Sequence, residues 1–442
     1  MYVAVNAQTV HYSLAQLVIA SENYLPSLLE KQAIINSEQA EVKDVKHSFL
    51  PILYVGDEIS IGTDNSLPGA YLPEIIVPSI TSGISASDNS NVATGNIASF
   101  YSQYTIFNFG LHKAQINNAI SYVDFANADF QKELYQAKLQ ICQIYLAILR
   151  SQNHLNVDKQ NITRYQNIFN VINALAASGI KPGADSSQAK AELSAAKINF
   201  NQTEGKFIQL KEQMSFLTGI AASGVVIDTI SNESPDSNLS FSMDTINNPL
   251  LLYYARQKDI YSANEKVIKK SYLPKIVIGF SAFGRGSSIA FNNYYKTLID
   301  GLGYQRFDYI SGIGISYDLF NGLHRKDHLA INSYREKASE YALQQQKLAL
   351  QSASSQAVSA MQTALANLQE LPNQTKAAEE VYQQKIAQYR AGLISLIDLT
   401  NASFVLYRSQ TDFIDAVNDW YTARLFNAEA AGSLDLFIQS LK

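Results

Sequence analysis

The sequence is poor in charged residues, which make up 17% of its 442 residues, and it has no excess of basic ones. Soluble proteins usually carry about 25%. The formal net charge of −5 removes the basic surface that a nucleic-acid-binding protein needs. The chain has one cysteine, Cys142. A disulfide framework is therefore excluded, and no cysteine near the start of the chain could accept a lipid.

Long hydrophobic runs are missing as well. No stretch of 18 or more consecutive apolar residues occurs, which excludes a transmembrane helix. The alternating strands of a membrane barrel remain possible, because they leave the mean hydropathy near zero, as it is here at −0.08. Residues 1–7 lack both a basic segment and a full apolar segment. We interpret them as a signal-peptide remnant, with the mature chain starting near Gln8; a short disordered leader is the alternative.

Aromatic residues, in contrast, are abundant, with 26 Tyr and 20 Phe. Eleven of the 49 residues in 272–320 are Phe or Tyr. Aromatic girdles of this kind lie at the two interfaces of a bilayer in membrane barrels. A soluble sandwich rich in aromatic residues is the alternative interpretation. The composition favours the membrane.

Two halves of the chain share the same landmarks at matching spacings. A Ser-aromatic-Leu-Pro step closes 25 residues after an earlier proline in each half, and a Gly-Leu-His step is followed by a second glycine 69 or 70 residues later. An aspartate comes six residues after that glycine, and a last glycine 34 residues further on. The matching positions are Pro26, Pro51, Gly110, Gly179, Asp185 and Gly219, and Pro249, Pro274, Gly322, Gly392, Asp398 and Gly432. Such agreement predicts an internal two-fold repeat.

Each repeat is predicted to contain a strand hairpin, a long helix, a tip and a returning helix. The first repeat covers 8–219, with the hairpin at about 49–109, the long helix at 110–178, the tip at 179–185 and the returning helix at 186–219. The second covers 249–432, with the hairpin at about 272–321, the long helix at 322–391, the tip at 392–398 and the returning helix at 399–432. An irregular linker, 220–248, joins the repeats, and 433–442 form a tail.

The predicted strands alternate in polarity, which is typical of strands with one apolar side. Irregular loops are expected between them at about 62–95 and 284–306. Within each strand the following residues are predicted to share one side: Phe100, Tyr104 and Ile106; Ile276, Ile278, Phe280 and Ala282; and Ile313, Ile315, Tyr317 and Leu319. The other side of the same strands is predicted to carry Ser99, Gln103 and Thr105; Val277, Gly279, Ser281 and Phe283; and Gly312, Gly314, Ser316 and Asp318.

The long helix of the first repeat carries a continuous hydrophobic seam. Steps of three and four residues from Leu134 to Ala176 meet only two polar side chains, Ser151 and Asp158. Such a seam predicts an antiparallel coiled-coil hairpin, about 100 Å long at the usual helical rise. Pro372 is expected to break or kink the second long helix.

The strand count bears on the number of chains. Four strands cannot close into a barrel, because about eight are the practical minimum. Open sheet edges are not tolerated in lipid, where each unpaired backbone group costs several kcal/mol. If these strands lie in a membrane, several chains must share one barrel. Two chains would supply eight strands and three would supply twelve.

Three segments resemble recurring motifs of the TolC family of outer-membrane efflux proteins. They are Tyr-Arg-Ala-Gly-Leu-Ile-Ser-Leu-Ile-Asp at 389–398, Ser-Tyr-Leu-Pro at 271–274 and Leu-Phe-Asn-Gly at 319–322. The repeated plan extends this resemblance over essentially the whole chain. The resemblance implies an α+β membrane protein in which long antiparallel coiled-coil hairpins accompany four β-strands per chain. A homotrimer would then share one 12-stranded β-barrel.

The resemblance also implies a function, a location and partners. The barrel would lie in the lipid bilayer of the bacterial outer membrane, and the helical part would lie in the periplasm. The partners would be a periplasmic adaptor protein and an inner-membrane pump. The chain would then be a passive export conduit of a tripartite efflux or secretion system, gated at its helical tip. Metal-ion efflux and type I protein secretion by the same fold are alternatives, as is a structural coiled-coil protein outside the membrane.

The two tips hold the candidate gate. Around a threefold axis, an inward aspartate becomes a ring of negative charge that selects cations. The resemblance places the inner-tip aspartate of the family at Asp398 and its second acidic position at Asn401, while the family's arginine falls on Ile394. The candidate tip residues are Asp398, Asn401, Arg390, Lys181 and Asp185, with the turn glycines Gly179 and Gly392. The candidate barrel–helix junctions are Pro51, Pro274, Gly110 and Gly322.

Helix capping is a competing interpretation of both aspartates. Asp185 followed by Gln188 has the spacing of a capping box, and Asp398 lies in a predicted first helical turn, where the helix dipole favours a negative charge. Elsewhere, His324 and His328 lie one turn apart but have no evident third ligand, so we interpret them as an interfacial pair. The sequence has no nucleophile–base pattern and no phosphate loop, and it predicts neither an enzyme nor a cofactor.

Overall fold

The computed structural model describes residues 11–64, 88–179, 182–227, 241 and 247–441. The predicted leader, 1–7, lies outside these residues. In chain order the elements are β1 His11–Tyr12, α1 Leu14–Tyr24, α2 Pro26–His47, β2 Ile52–Gly62, β3 Ala93–Phe107, α3 Leu111–Ala177, α4 Gly183–Thr218, β4 Val226–Ile227, α5 Pro249–Ser271, β5 Lys275–Ser287, β6 Ile289–Ala290, β7 Tyr294–Tyr295, β8 Arg306–Ser316, α6 Asn321–Arg390, α7 Leu396–Ala431 and α8 Leu434–Ser440. Short 3₁₀ helices occur at Ala222–Gly224, Phe291–Asn293 and Leu298–Leu302.

The chain divides into two compact units. The helical unit comprises Met1–Ser37, Val123–Asp259 and Glu336–Lys442. The strand unit comprises Glu38–Tyr122 and Ile260–Arg335. Within the described residues, helix predominates over strand, as expected. None of the helices described is both long and apolar enough to cross a membrane.

The strand unit contains one four-stranded sheet with the order β2-β3-β5-β8. Every pair of neighbours in it is antiparallel. The two predicted hairpins are therefore present, and β3 and β5 join them. Within the part of the chain that the structure describes, β2 and β8 each pair on one side only, so the sheet has two unpaired edges of 11 residues each.

The strand register agrees with the predicted alternation of β3, β5 and β8 up to the irregularity between Thr105 and Phe107, and it extends the alternation to β2. Val55, Phe100, Ala282 and Tyr309 are aligned in one row, so their side chains lie on one face. We call this the apolar face; it carries Leu53, Val55, Ile59, Ile61, Phe100, Tyr104, Ile278, Phe280, Ala282, Phe307, Tyr309, Ile313 and Ile315. The opposite, polar face carries Glu58, Ser60, Ser99, Gln103, Ser281, Arg285, Arg306, Asp308, Gly312 and Gly314, together with fewer apolar residues.

Helix α6 corrects the prediction that Pro372 would break it. The helix runs without interruption from Asn321 to Arg390, with Pro372 inside it. Proline removes a single backbone donor, and the hydrogen bonds on either side of it remain. Nearby, Thr375 Oγ1 donates to the Ser409 carbonyl of α7 at 3.3 Å, so packing against the neighbouring helix supports the backbone beyond the proline.

The seam predicted on α3 lies in the core of the helical unit. Ile141, Ile148 and Ile172 are among its fully buried side chains. One cluster joins α1, α3, α4, α7 and α8, with Leu14, Leu17, Ile141, Ile148, Met214, Leu425 and Phe437 at its centre. A second cluster joins α3, α4, α6 and α7, with Ile168, Ile172, Leu193, Tyr389, Leu399 and Leu406. Burial of such side chains contributes about 1.5–3 kcal/mol each.

The C-terminal segment differs from the predicted tail. Residues Leu434–Ser440 form the helix α8, and Phe437 in it is completely buried. Lys138 of α3 forms an ion pair with Asp435 at 2.9 Å, which fixes α8 against the longer helix. The sequence contained the signal, since Leu434, Phe437, Ile438 and Leu441 follow the spacing of one helical face. Their shared burial makes this segment part of the core.

The second predicted loop, 284–306, is also wrong in its bounds. Strand β5 continues to Ser287, and the residues beyond it form the small β6–β7 hairpin and a 3₁₀ helix at Leu298–Leu302. Ser and Gly in this segment had indicated irregular structure. The segment is ordered because its backbone and side chains bond to β3 and β5. The first predicted loop, 62–95, lies mostly outside the described residues.

Candidate functional site at the helical tips

Both tips begin with a glycine in the left-handed conformation. Gly179 has φ 76° and Gly392 has φ 77°, values that side chains with a Cβ rarely adopt. Three residues later comes the cap of the returning helix, Pro182 for α4 and Ser395 for α7. The returning helices thus begin at Gly183 and Leu396, three residues earlier than predicted. Helix boundaries depend on capping geometry, which spacing alone does not give.

Asp398 is an exposed residue that takes part in a complete capping box. Its Oδ2 accepts from the Ser395 backbone N–H at 3.1 Å and from Ser395 Oγ at 2.6 Å. In return, the Asp398 N–H donates to Ser395 Oγ at 3.3 Å. The hydrogen bonds from Ser395 lower the pKa of the Asp398 carboxyl, which stays ionised at neutral pH. A capping role is therefore present, and it preserves the negative charge that a gate would need.

Asp185 does not form the capping box that its spacing with Gln188 predicted. The cap of α4 is Pro182, which makes no side-chain capping bond, and Asp185 lies in the first turn of that helix. The helix begins before Asp185, so the aspartate cannot be its N-cap. The dipole of α4 still favours its charge. Asp185 also lies near the buried Tyr389 and, after burial itself, contributes to raising the pKa of that hydroxyl.

The remaining tip candidates differ in position. Asn401 lies with Asp398 and Lys385 in a groove of about 510 Å³ between α6 and α7, whose apolar part is formed by Ala377, Ala378, Val381, Ala402 and Val405. Arg390 is exposed at the last residue of α6. Lys181 lies outside the described residues. The structure thus brings Asp398 and Asn401 together in one groove.

The two polar residues of the α3 seam are both buried, and Asp158 joins three helices. Asp158 accepts from Thr203 Oγ1 of α4 at 2.7 Å and from the Tyr407 hydroxyl of α7 at 2.8 Å. Its partner in the seam, Ser151, is also turned towards α4. A buried carboxylate is tolerated only when its oxygens are hydrogen-bonded. These bonds hold α3, α4 and α7 at one register.

A second charged cluster lies about one turn before Asp158 on α3. Asp415 Oδ1 of α7 accepts from Arg150 Nε at 2.8 Å and is 2.7 Å from His154 Nε2. The three side chains border a cavity of about 410 Å³. Burial would raise the pKa of the Asp415 carboxyl, but the hydrogen bonds from His154 and Arg150 outweigh it and hold that pKa below its usual value. Sequence reasoning missed this cluster, because 265 residues separate Arg150 from Asp415.

Replacement of Asp415 by Asn is expected to destabilise the helical unit by about 1–2 kcal/mol at pH 7. Because the folded-state pKa is lowered, the stabilisation by Asp415 is fully present above its unfolded pKa of about 3.9 and is lost progressively as the pH falls through the lower folded-state pKa. Thermal unfolding followed by circular dichroism should therefore show a larger difference between the parent and Asp415→Asn at pH 7 than at pH 3. Asp412→Asn, which removes an exposed pair with Arg408 at 3.7 Å, serves as the control. A difference that persists undiminished at pH 3 would contradict this.

A family comparison identifies the chain. The model of the family described as outer membrane efflux protein matches residues 22–220 and 245–432. The chain belongs to the outer membrane efflux protein family. This confirms the resemblance noted in the sequence and the prediction of an outer-membrane efflux channel subunit. Among curated protein sequences, none matches this chain.

Solved outer-membrane channels share the fold of this outer membrane efflux protein. The channel OprN aligns with a TM-score of 0.76 at 16% identity, covering 95% of this chain and 90% of that one. VceC from Vibrio cholerae aligns with 0.75 at 15% identity, covering 95% and 96%. CmeC from Campylobacter jejuni aligns with 0.75 at 13% identity, covering 95% and 85%. At these identities the likeness establishes the fold.

The predicted barrel–helix junctions of the outer membrane efflux protein are of two kinds. Pro51 and Pro274 each lie directly before a strand, β2 and β5, where a missing backbone donor prevents continuation of the preceding helix. Gly110 has φ 80° and precedes α3, and Lys270 Nζ donates to the neighbouring Phe109 carbonyl at 2.9 Å. Gly322 differs, because α6 begins at Asn321 and Gly322 lies inside its first turn.

Two histidines of this efflux protein, His112 and His328, lie beside the aromatic residues of the same junctions. The His112 ring stacks on Phe49 with 3.7 Å between centroids. The His328 ring is 6.4 Å from that of Tyr272. Phe49 and Tyr272 are the corresponding residues of the two Ser-aromatic-Leu-Pro steps. His112 and His328 thus lie each beside the aromatic residue of their own junction.

Proposed function

We propose that three copies of this chain form one efflux channel with a shared twelve-stranded barrel. The observation that carries the proposal is the pair of open edges on the sheet. The sheet order with antiparallel neighbours makes β2 and β8 antiparallel to each other. The β8 edge of one copy can therefore pair with the β2 edge of the next over a matching length of 11 residues. Such a head-to-tail contact closes a ring, which removes the edges that lipid does not tolerate.

The two faces of the sheet support placing this barrel in the bacterial outer membrane, with the helical part in the periplasm. Apolar side chains face the hydrocarbon and polar ones face the water-filled lumen of such barrels. The apolar face fits the first environment, and the Arg285–Asp308 ion pair on the polar face, at 3.1 Å, fits the second. Large apolar side chains also remain exposed on the helical unit, at Ile198, Ile208, Phe216, Tyr341 and Leu348. Neighbouring copies would cover them.

The number of copies is tested by the mass of the purified particle. Multi-angle light scattering of the protein in detergent, corrected for bound detergent, is expected to give three chains of 48.9 kDa each. Chains with two open sheet edges are not stable alone in lipid. A particle of one chain would contradict the shared barrel.

The internal repeat remains part of this proposal. It is supported by the left-handed glycines Gly179 and Gly392 at the two tips, and by Gly219 and Gly432 at the ends of the two returning helices. Equivalent positions thus have equivalent backbone conformations. A duplicated unit gives a ring of six similar hairpins from three chains, which suits a tunnel wall.

The gate is proposed to lie at the tip, with Asp398 supplying a ring of three charges. Support comes from its exposure, its lowered pKa and its position in a fixed cap. Arg390 and Asp185, at the ends of neighbouring helices, and Lys181 are proposed to contribute links between tips. Asn401, one turn beyond Asp398, leaves the ring with a single aspartate per chain.

Replacement of Asp398 by Asn is expected to lower the cation selectivity of single channels in planar bilayers, because the ring loses three negative charges. Ser395→Ala is the matched control: it removes the capping hydroxyl, which costs about 1 kcal/mol of helix stability, but keeps the charge. Cation selectivity should therefore change in Asp398→Asn and not in Ser395→Ala. Equal selectivity in both variants and the parent would remove Asp398 from the gate, and a parent without conductance would contradict the channel itself.

The proposed partners are a periplasmic adaptor and an inner-membrane pump. The sequence has no phosphate loop with which the chain could bind a nucleotide, so we propose that the pump supplies the energy for export. The groove between α6 and α7 that contains Asp398 offers an apolar floor with Lys385 and Asp398 at its border. Such a groove suits the end of an adaptor helix. The exported substrate is set by the pump, and the genes adjacent to this one would identify that pump.

A further inference from the structure

The segment Ser288–Gln305, here called the β5–β8 loop, is folded back over the apolar face, at the end of the sheet where β5 finishes and β8 begins. Asn96 Nδ2 donates to the Leu302 carbonyl at 2.9 Å, and Thr94 Oγ1 donates to the Leu298 carbonyl. The side chains of Thr94 and Asn96 belong to the apolar face, since they are in phase with Phe100 on β3. The side of the sheet on which the loop lies is therefore known.

Backbone bonds hold both ends of this loop as well. The Ser288 N–H donates to the Thr94 carbonyl at 2.9 Å, and the Thr94 N–H donates to Ser288 Oγ at 2.8 Å. At the other end, the Gln305 N–H donates to the Arg285 carbonyl at 2.8 Å. These partners are on β3 and β5, the two middle strands. Both ends of the loop are thus bound to the middle of the sheet.

Two glycines make this close approach possible. A Cβ at Gly301 would lie 2.2 Å from Thr94 Oγ1 and 2.3 Å from the Thr94 carbonyl oxygen. A Cβ at Gly286 would lie 1.9 Å from the Gly303 carbonyl oxygen. A side chain at either position would push the loop off the sheet. At Gly303, in contrast, a Cβ would meet no atom of the described residues within 4 Å.

The loop covers polar atoms of the sheet and presents large apolar side chains, beside the exposed Lys296 and Asp300. It lies over Thr94 and Asn96, and Tyr304 hydrogen-bonds to Asp57, the one acidic residue of the apolar face. On its outer side, Phe291 is 90% exposed and Ile299 is 78% exposed. Without the loop, the polar groups of Thr94, Asn96 and Asp57 would be exposed at this end of the apolar face. With the loop in place, the exposed surface there includes the apolar side chains of Phe291 and Ile299 instead.

We propose that the β5–β8 loop is a lipid anchor that lies in the interfacial layer of the bilayer, with Phe291 and Ile299 inserted. The inference rests on the proposed membrane position of the apolar face. Tyrosine side chains such as Tyr294 and Tyr304 prefer the boundary between headgroups and acyl chains, and apolar side chains such as Phe291 insert just below it. The bilayer is the occupant that the geometry favours, because the loop continues the surface that faces lipid and both of its ends are bound to the middle strands.

The test uses tryptophan reporters in vesicles that contain brominated phospholipids, which quench only tryptophans that touch lipid. The reporters are Phe291→Trp and Ile299→Trp in the loop, Tyr309→Trp on the apolar face and Ile310→Trp on the polar face. The parent, whose only tryptophan is Trp420, supplies the background. Bromine near the headgroups is expected to quench both loop reporters, and deeper bromine is expected to quench Tyr309→Trp. Ile310→Trp should keep its emission.

Two results would count against the anchor, and they are distinguishable. Quenching of Tyr309→Trp together with loop reporters that respond only to aqueous acrylamide overturns the anchor and leaves the channel proposal intact. Loss of lipid quenching at Tyr309→Trp as well overturns the membrane position on which both rest.

The glycine contacts supply a matched pair of further variants in the Phe291→Trp background. Gly301→Ala is expected to displace the loop, so the reporter loses its lipid quenching and gains acrylamide quenching. Gly303→Ala should leave both signals unchanged. Lipid quenching that survives Gly301→Ala unaltered contradicts the proposed docking of the loop.

Discussion

Arginine at position 313 is expected to prevent assembly of the channel in a bilayer, whereas arginine at position 314 is expected to be tolerated. The two residues are adjacent on β8, but their side chains lie on opposite faces of the sheet. Ile313 is on the apolar face, in the row of aligned residues next to the middle row of that face. An arginine that faces lipid near the middle of a barrel costs about 2–4 kcal/mol. Three copies would each bear this cost.

Gly314 is the matched control, because a Cβ there would meet no atom of the described residues within 4 Å. Gly314 lies on the polar face, which is proposed to line the aqueous lumen, where an arginine stays hydrated. The measurement is the fraction of protein that migrates as a folded oligomer on a gel without boiling, after insertion into vesicles. Ile313→Arg should lose this band and Gly314→Arg should keep it. Folding of Ile313→Arg with loss of Gly314→Arg would show that the faces are assigned the wrong way round, and equal folding of the two variants would contradict their assignment to lipid and lumen.

Replacement of Phe437 by Ala is expected to destabilise the helical unit by about 3–5 kcal/mol, the usual effect of removing a fully buried aromatic ring. Phe437 has no exposed surface and packs in the cluster that joins α8 to α1 and α3. The adjacent Leu436 is 57% exposed, so Leu436→Ala should change stability by less than about 0.5 kcal/mol. The pair tests whether α8 is part of the core or a dispensable tail.

A local probe for this experiment is already in the chain. The guanidinium of Arg424 lies 5.9 Å from the Phe437 ring and 5.4 Å from that of Trp420. Unfolding in urea can therefore be followed by the fluorescence of Trp420, alongside the helical circular dichroism signal. Phe437→Ala should lower the urea midpoint in both signals, while Leu436→Ala should not. Similar midpoints for the two variants would show that α8 is a dispensable tail.

Local patterns predicted the elements well where a single period governs them. The two-residue alternation assigned Phe100, Phe280 and Ile313 each to the apolar side of its own strand, and the register shows that these sides form one face. The α3 seam was similarly correct, because a steady 3.5-residue spacing has only one helical interpretation. Local rules failed where packing competes with them. Pro372 should end a helix, yet α6 continues through it beside α7.

The candidate site was predicted in part for a related reason. Gly392 and Asp398 were found from the matching spacings of the two halves and from the family resemblance, and Asp398 does lie in the first turn of α7. The prediction of a capping box at Asp185 was wrong, because α4 begins three residues earlier than predicted. The spacing of the landmarks does not reveal this earlier start. The Arg150–Asp415 contact left no local signal at all, since its partners come from helices far apart in the chain.

The sequence by itself determined the strand hairpins, the long helices, the turns at Gly179 and Gly392, and the family, because each depends on spacing over short distances or on matching motifs. Only the tertiary structure decided the order of the strands, the burial of α8, the hydroxyl partners of Asp158 and the side of the sheet on which the β5–β8 loop lies. These features depend on which distant segments come together. Periodicity states which side of an element is apolar, but it does not state what covers that side.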